Sequence, residues 1–224
     1  MDKLQLVFDW SEVWATLIPL LVLTFRKDQP SLLRPIIIYL WVALFLYLSG
    51  NIISDFKAYL PSWLQGNNFL YNVHSVVRFV CFSHFFFQLP QTSFRTIKRF
   101  IPVIFFLFVT INFSAFENFL DQNQLSGNLL TVEAFLLLIY CMLFYLSLLR
   151  EEEDLTSSQE FWVVTGLSAY VVINFFVFLF YVPLLTQNVE LAIQIWNVHN
   201  IAHIILCIFI AKALYEPIGS RLRV

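Results

Sequence analysis

Long apolar runs alternate with short polar connections seven times along the chain. The runs cover roughly 8–25, 36–54, 69–88, 100–117, 129–149, 160–184 and 192–214. None alternates apolar and polar residues with a period of two, the pattern of a membrane β-barrel strand. About 20 residues in helical form cross the roughly 30 Å hydrocarbon layer of a bilayer. The pattern therefore predicts an all-α, polytopic membrane protein with seven transmembrane helices, built as a single transmembrane domain over residues 1–224. Connections such as Arg26-Lys27-Asp28-Gln29-Pro30 and Asp121-Gln122-Asn123-Gln124 leave no room for a second domain. The charged run Arg150-Glu151-Glu152-Glu153-Asp154 reads as a solvated helix end.

Composition strengthens this reading. Hydrophobic residues make up 59% of the chain and charged residues 12%, where a soluble domain is nearer half and a quarter. So apolar a chain needs lipid as solvent, and lipid forces the backbone to bond internally. The net charge of −2 and the lack of a basic arm exclude nucleic acid as a partner. Cys81, Cys141 and Cys207 all lie inside apolar runs and give no disulfide framework. At the N-terminus, Lys3 is offset by Asp2, Asp9 and Glu12, and no small-residue cleavage site follows, so no cleaved signal peptide is expected.

Basic residues set the expected orientation. Connections on the N-terminal side hold only Lys3 and Lys57, whereas the other side holds Arg26, Lys27, Arg34, Arg95, Lys98, Arg99, Arg150, Lys212, Arg221 and Arg223. The positive-inside rule then places the N-terminus outside and the C-terminus in the cytoplasm, with a bacterial inner membrane as the expected location. Trp10, Trp14, Trp63 and Trp196 fall at the outer ends of spans or in an outer loop, where interfacial anchors belong.

The chain echoes itself. Tyr71-Asn72-Val73-His74 in the third run matches Trp196-Asn197-Val198-His199 in the seventh. Tyr47 and Asn51 match Tyr170 and Asn174, and Glu12 matches Glu133, all at offsets of 121 to 125 residues. This predicts a 3+1+3 parallel repeat: residues 8–88 as the first three-helix unit, 100–117 as a linker helix and 129–214 as the second unit. Parallel repeats are related by an axis along the membrane normal. The layout resembles that of the SWEET sugar transporters, without their proline-glutamine signature.

Polar residues three, four and seven apart share one helix face. Tyr71, His74, Ser75 and Arg78 form one such stripe, and Trp196, His199, Asn200 and His203 form its counterpart. Ionisable groups in lipid cost roughly 2.5–3.5 kcal/mol or more at the centre of a helix, so they face the bundle interior and pair. Arg78 needs a carboxylate, and Glu12 or Glu133 lies at the right depth. The expected site is an outward-facing polar pocket lined by Glu12, Tyr47, Asn51, Tyr71, His74, Arg78, Glu133, Tyr170, Asn174, His199 and His203.

His199 and His203 lie one turn apart as HxxxH, and His74 on a parallel helix offers a third nitrogen. Three protein ligands plus water is the pattern of a catalytic zinc site. Through these residues and its seven runs the chain resembles the integral membrane hydrolases related to alkaline ceramidases and adiponectin receptors. The resemblance implies zinc held by His74, His199 and His203. The chain departs from that family in two places. Leu70 stands where the family has a Ser, and no acid follows His74 until Glu117. Lys212 invites comparison with the retinal lysine of microbial rhodopsins, but it points away from the His203 face and reads as a snorkelling anchor.

In general layout the chain resembles the seven-span membrane input regions of bacterial sensor kinases and small bacterial proteins of that shape. The resemblance implies a ligand-binding or sensory module, or an accessory subunit of a membrane complex. No output domain follows Arg223-Val224, so the expected partners are the bilayer and another membrane protein. A small-solute transporter ranks second, because only Gly50 and Gly166 interrupt the spans and Pro19 has no counterpart in the fifth run. A zinc-dependent membrane hydrolase ranks third, and an enzymatic role ranks below binding.

Overall fold

The computed structural model describes residues 3–61, 64–89, 94–122, 124–151 and 158–217. These form eight α-helices and their connections: α1 (Lys3–Asp9), α2 (Ser11–Phe25), α3 (Arg34–Asp55), α4 (Asn68–Gln88), α5 (Arg95–Ala115), α6 (Gly127–Glu151), α7 (Gln159–Gln187) and α8 (Val189–Tyr215). Five segments are long and apolar enough to cross a membrane: Ser31–Asp55, Arg95–Ala115, Gly127–Arg150, Gln159–Gln187 and Val189–Tyr215. With the composition, they mark an all-helical integral membrane protein. Trp63, Arg221, Arg223 and most of the 151–154 acidic run lie outside the described residues.

Local chemistry sets the helix ends. Pro35 sits in the first turn of α3, where its missing N–H costs nothing. Ser158 caps α7 by accepting from the Phe161 N–H, and Asn188 caps α8 by accepting from the Leu191 N–H. Asn188 alone separates α7 from α8, and its extended backbone reverses the chain in one residue.

The first run departs from expectation. Instead of one helix over 8–25, the chain leaves helical geometry at Trp10 and divides into α1 and α2. Side chains of α8 hold α1 in place. Asn200 donates to the Phe8 carbonyl, and Asn197 exchanges amide hydrogen bonds with Gln5. The linker helix also starts earlier than expected, at Arg95 instead of residue 100. Phe94, in the left-handed region at φ 60°, opens it.

Six helices close a ring. Neighbours in order are α2, α3, α4, α6, α7 and α8, and α8 packs back against α2. The helix α5 stands outside this ring against α4 and α6. Only 22% of its most apolar stretch is buried, against 44–56% in the other four long apolar segments, so it is peripheral. Phe79 stacks on Phe105 at 3.8 Å to fix α5 to α4, and Phe86 stacks on Tyr140 at 4.9 Å to join α4 to α6. Leu21, Phe25, Trp41, Phe45 and Phe180 of the ring and Leu107 of α5 are exposed, as lipid-facing residues should be.

The two shorter helices of the ring, α2 and α4, are not among these five segments, each for a visible reason. The 15-residue α2 rises only about 22 Å. The 21-residue α4 is long enough, but Asn72, His74, Ser75 and Arg78 dilute its apolar character, and all four are buried.

Candidate functional site: a buried polar core beneath an open cleft

Helical spacing brings the polar stripe of α4 inside the ring, opposite α6. Glu133 meets Arg78 there in a two-pronged ion pair, Nε to Oε1 at 2.5 Å and Nη2 to Oε2 at 2.6 Å. Ser75 donates to the same carboxylate at 2.6 Å. The remaining guanidinium nitrogen, Nη1, donates to the Tyr170 hydroxyl. The guanidinium carbon lies 4.9 Å from the centre of the Tyr170 ring, a cation–π contact. Arg78 is 1% exposed and Glu133 fully buried. A charge pair out of water is tolerable only with such complete satisfaction. Of the two carboxylates at matching depth, Glu133 is the partner: α6 is the neighbour of α4 in the ring, whereas Glu12 on α2 meets α4 at Tyr71.

Glu12 serves the other seam of the ring, between α2 and α8. Its Oε1 lies 3.1 Å from His199 Nε2, and its Oε2 accepts from the Tyr71 hydroxyl at 3.2 Å. His199 Nδ1 lies 2.5 Å from Asn174 Oδ1, and Asn174 Nδ2 donates to the Tyr170 carbonyl at 2.9 Å. One turn along, Thr16 Oγ1 lies 3.2 Å from His203 Nε2. Tyr170 thus touches both clusters, its hydroxyl on Arg78 and its ring 5.9 Å from that of His199.

His74 occupies a third environment. Tyr39 stacks on it at 5.6 Å and Tyr47 packs at 4.7 Å. Its Nε2, the hydroxyls of Tyr39 and Tyr47, Asn51 Nδ2 and His203 Nδ1 are buried without a hydrogen-bond partner. A cavity of about 10 Å³ adjoins His74, Tyr47, Gly50 and Tyr71. It is about the size of one water molecule.

The expected metal triad is corrected by this geometry. Among the described residues, no three His, Cys, Asp or Glu side chains are placed to hold a metal. Both ring nitrogens of His199 are engaged, by Asn174 and Glu12. The Tyr47 ring packs against both His74 and His203. The HxxxH spacing puts two imidazoles on one face but does not gather a third. The described residues therefore do not form the expected zinc triad. Lys212 pairs with Glu216 at 2.6 Å and is half exposed, as an anchor would be.

A wide cleft of about 900 Å³ opens at the same end of the bundle as Tyr71 and Trp196, which both line it. Its rim includes residues 116–118, 121 and 124–126, and α4 holds the nearby backbone down. Asn72 donates to the Phe119 carbonyl at 2.9 Å and Asn68 to the Gln122 carbonyl at 3.1 Å. Gly66 permits this packing, since a Cβ there would meet the Gln122 carbonyl oxygen at 2.2 Å. Glu117 and Asp121 line the cleft with Tyr181. Glu117 accepts from Asn112 at 2.8 Å, from Ser126 and from Asn128 at 3.0 Å.

Of the eleven residues singled out in the sequence, only Tyr71 lines this cleft. Tyr47 and His74 line the small cavity, and Arg78, Glu133, Tyr170, Asn174, His199, His203 and Glu12 are buried. Glu117, Asp121, Ser126, Asn128 and Tyr181 were not anticipated. Comparison with protein-family models, curated proteins and solved structures finds no match to this chain.

Proposed function

We propose that the chain is a seven-span ligand-binding module of the membrane, with its N-terminus and cleft outside and its C-terminus in the cytoplasm. In this reading α2 and α4 cross the bilayer with the five long apolar segments, α1 extending the short α2 toward the interface. The observation that carries the binding role is the double position of Tyr71. Its ring lines the cleft, and its hydroxyl donates to the buried Glu12. A solute in the cleft would therefore press directly on the polar core. Glu117 and Asp121 supply carboxylates to the lining, and Tyr71, Tyr181 and Trp196 supply aromatic surface. That combination suits a small organic cation. Thermal unfolding in lipid nanodiscs, with tetramethylammonium, choline and spermidine as probes, tests this. The expected result is stabilisation by one or more cations, lost in Asp121→Asn and Trp196→Ala, and none by acetate or succinate. No response to any cation, or an equal response to the anions, would remove the reading.

The orientation rests on the basic-residue split. Reporters inserted at Asn67, Thr96, Gln122 and Ser157 are expected to lie outside, inside, outside and inside. A cytoplasmic signal at Asn67 would invert the assignment. The 3+1+3 repeat is supported by the order of packing. Contacts run α2–α3–α4 and α6–α7–α8, and the ring closes through α4–α6 and α8–α2. Superposing the two triplets should bring His74 over His199 and Asn51 over Asn174 about an axis near the membrane normal.

A further inference from the structure

The hydrogen bonds around His199 fix a proton count. Asn174 donates its amide to the Tyr170 carbonyl at 2.9 Å. The opposite amide orientation would set two carbonyl oxygens against each other, so Asn174 Oδ1 is the atom that faces His199 Nδ1, at 2.5 Å. An amide oxygen only accepts, so Nδ1 carries a hydrogen. A neutral imidazole has one N–H, which would leave Nε2 bare. Yet Nε2 faces Glu12 Oε1 at 3.1 Å. A bare nitrogen and an ionised carboxylate are both acceptors, and neither can satisfy the other. One hydrogen must lie between them.

We infer that Glu12 and His199 together form a proton-binding site in the membrane. In this arrangement the pair holds one proton more than a free carboxylate and a neutral imidazole. The proton sits on Nε2, giving imidazolium and carboxylate, or on Oε1, giving imidazole and carboxylic acid. Both states sum to zero charge, and both complete the hydrogen bond. Losing the proton leaves one uncompensated negative charge on side chains that are 5% and 3% exposed, which lipid and protein both penalise.

Other titratable groups do not replace that proton. From α4, Tyr71 already donates its hydroxyl to Glu12 Oε2, and Arg78 is neutralised by Glu133 of α6. From α7, Tyr170 presents its ring to His199 and its hydroxyl to Arg78. From α8, His203 turns Nε2 toward Thr16 and Cys207, and Tyr47 of α3 meets His203 edge-on. His74 faces Tyr39 and Tyr47. Tyr71 also lines the cleft, so it links Glu12 to the open end of the bundle. The two seams of the ring consequently differ. An arginine does not deprotonate in a protein, so the α4–α6 seam has a permanent cation facing Glu133 and needs no added proton. The α2–α8 seam keeps its hydrogen bond only while the proton is bound.

The test needs no ligand and stands apart from the cleft. Full-length protein with ring-15N histidine is placed in lipid nanodiscs, and ring signals are assigned through backbone connectivities. Infrared spectra of the same sample report protonated carboxyl groups. At pH 7 the expected result is a His199 with both nitrogens protonated, or a bare His199 Nε2 accompanied by a protonated-carboxyl band. Glu12→Gln should remove either signature, since its amide can donate to a neutral Nε2. A His199 with bare Nε2 and no protonated-carboxyl band, in the wild-type protein at pH 7, would overturn the inference. The wild-type spectra decide the matter even if the variant fails to fold.

Discussion

Glu133→Ala is expected to destabilise the bundle by about 3–5 kcal/mol, the cost of stranding one member of a buried ion pair. The substitution leaves Arg78, 1% exposed, with only the Tyr170 hydroxyl as a hydrogen-bond acceptor. No other carboxylate bonds to it, because Glu12 is committed to Tyr71 and His199 across the ring. Glu133→Gln should also destabilise, since it keeps the shape but removes the compensating charge. Arg78→Leu combined with Glu133→Leu should recover much of the loss, because it removes both charges together. Reversible unfolding in mixed micelles, followed by far-ultraviolet circular dichroism, checks all three. If Glu133→Ala unfolds within about 0.5 kcal/mol of the wild type, the pair does not carry the energy its geometry implies.

The second large effect concerns backbone approach. At Gly166 an added Cβ would lie 2.4 Å from the Cβ of Phe209 on α8. Phe209 cannot rotate away from such a contact, because its Cβ is fixed to the helix backbone. Gly166→Ala must push α7 and α8 apart, and overpacking of this kind costs about 1–3 kcal/mol. Gly50 provides the control. A Cβ there meets Asn67 Nδ2 at 3.5 Å and Leu70 Cδ1 at 3.8 Å, which is ordinary contact. Gly50→Ala should therefore be neutral, or stabilising by up to about 0.5–1 kcal/mol through helix propensity. The same unfolding measurement compares the two. Equal effects would mean that the α7–α8 contact is not close-packed at Gly166.

The helices were legible because lipid demands long apolar runs, and each of the seven runs overlaps at least one observed helix. The pairing of Arg78 was legible to one of two carboxylates. Depth is readable from a sequence, but the choice of Glu133 depends on which helix stands beside α4. The break at Trp10 was invisible, since no Gly or Pro marks it. It answers to Asn197 and Asn200, nearly two hundred residues away. The metal reading failed for a related reason. Spacing fixes which side chains share a face, but not that Asn174 and Glu12 take both nitrogens of His199. The cleft was missed because Glu117 and Asp121 read only as loop polarity until Asn68 and Asn72 tie that loop across α4.

The ring's closure also sets an order of assembly. During synthesis, Arg78 waits 55 residues for Glu133, so the α4–α6 seam can form once α6 has been made. Glu12 waits 187 residues for His199. Closing a longer loop costs more entropy, though only slowly with length. Until α8 arrives, Tyr71 is the one hydrogen-bond partner available to the Glu12 carboxylate. A nascent chain stalled before α8 would hold a completed ion pair on one side and an acid without its imidazole on the other.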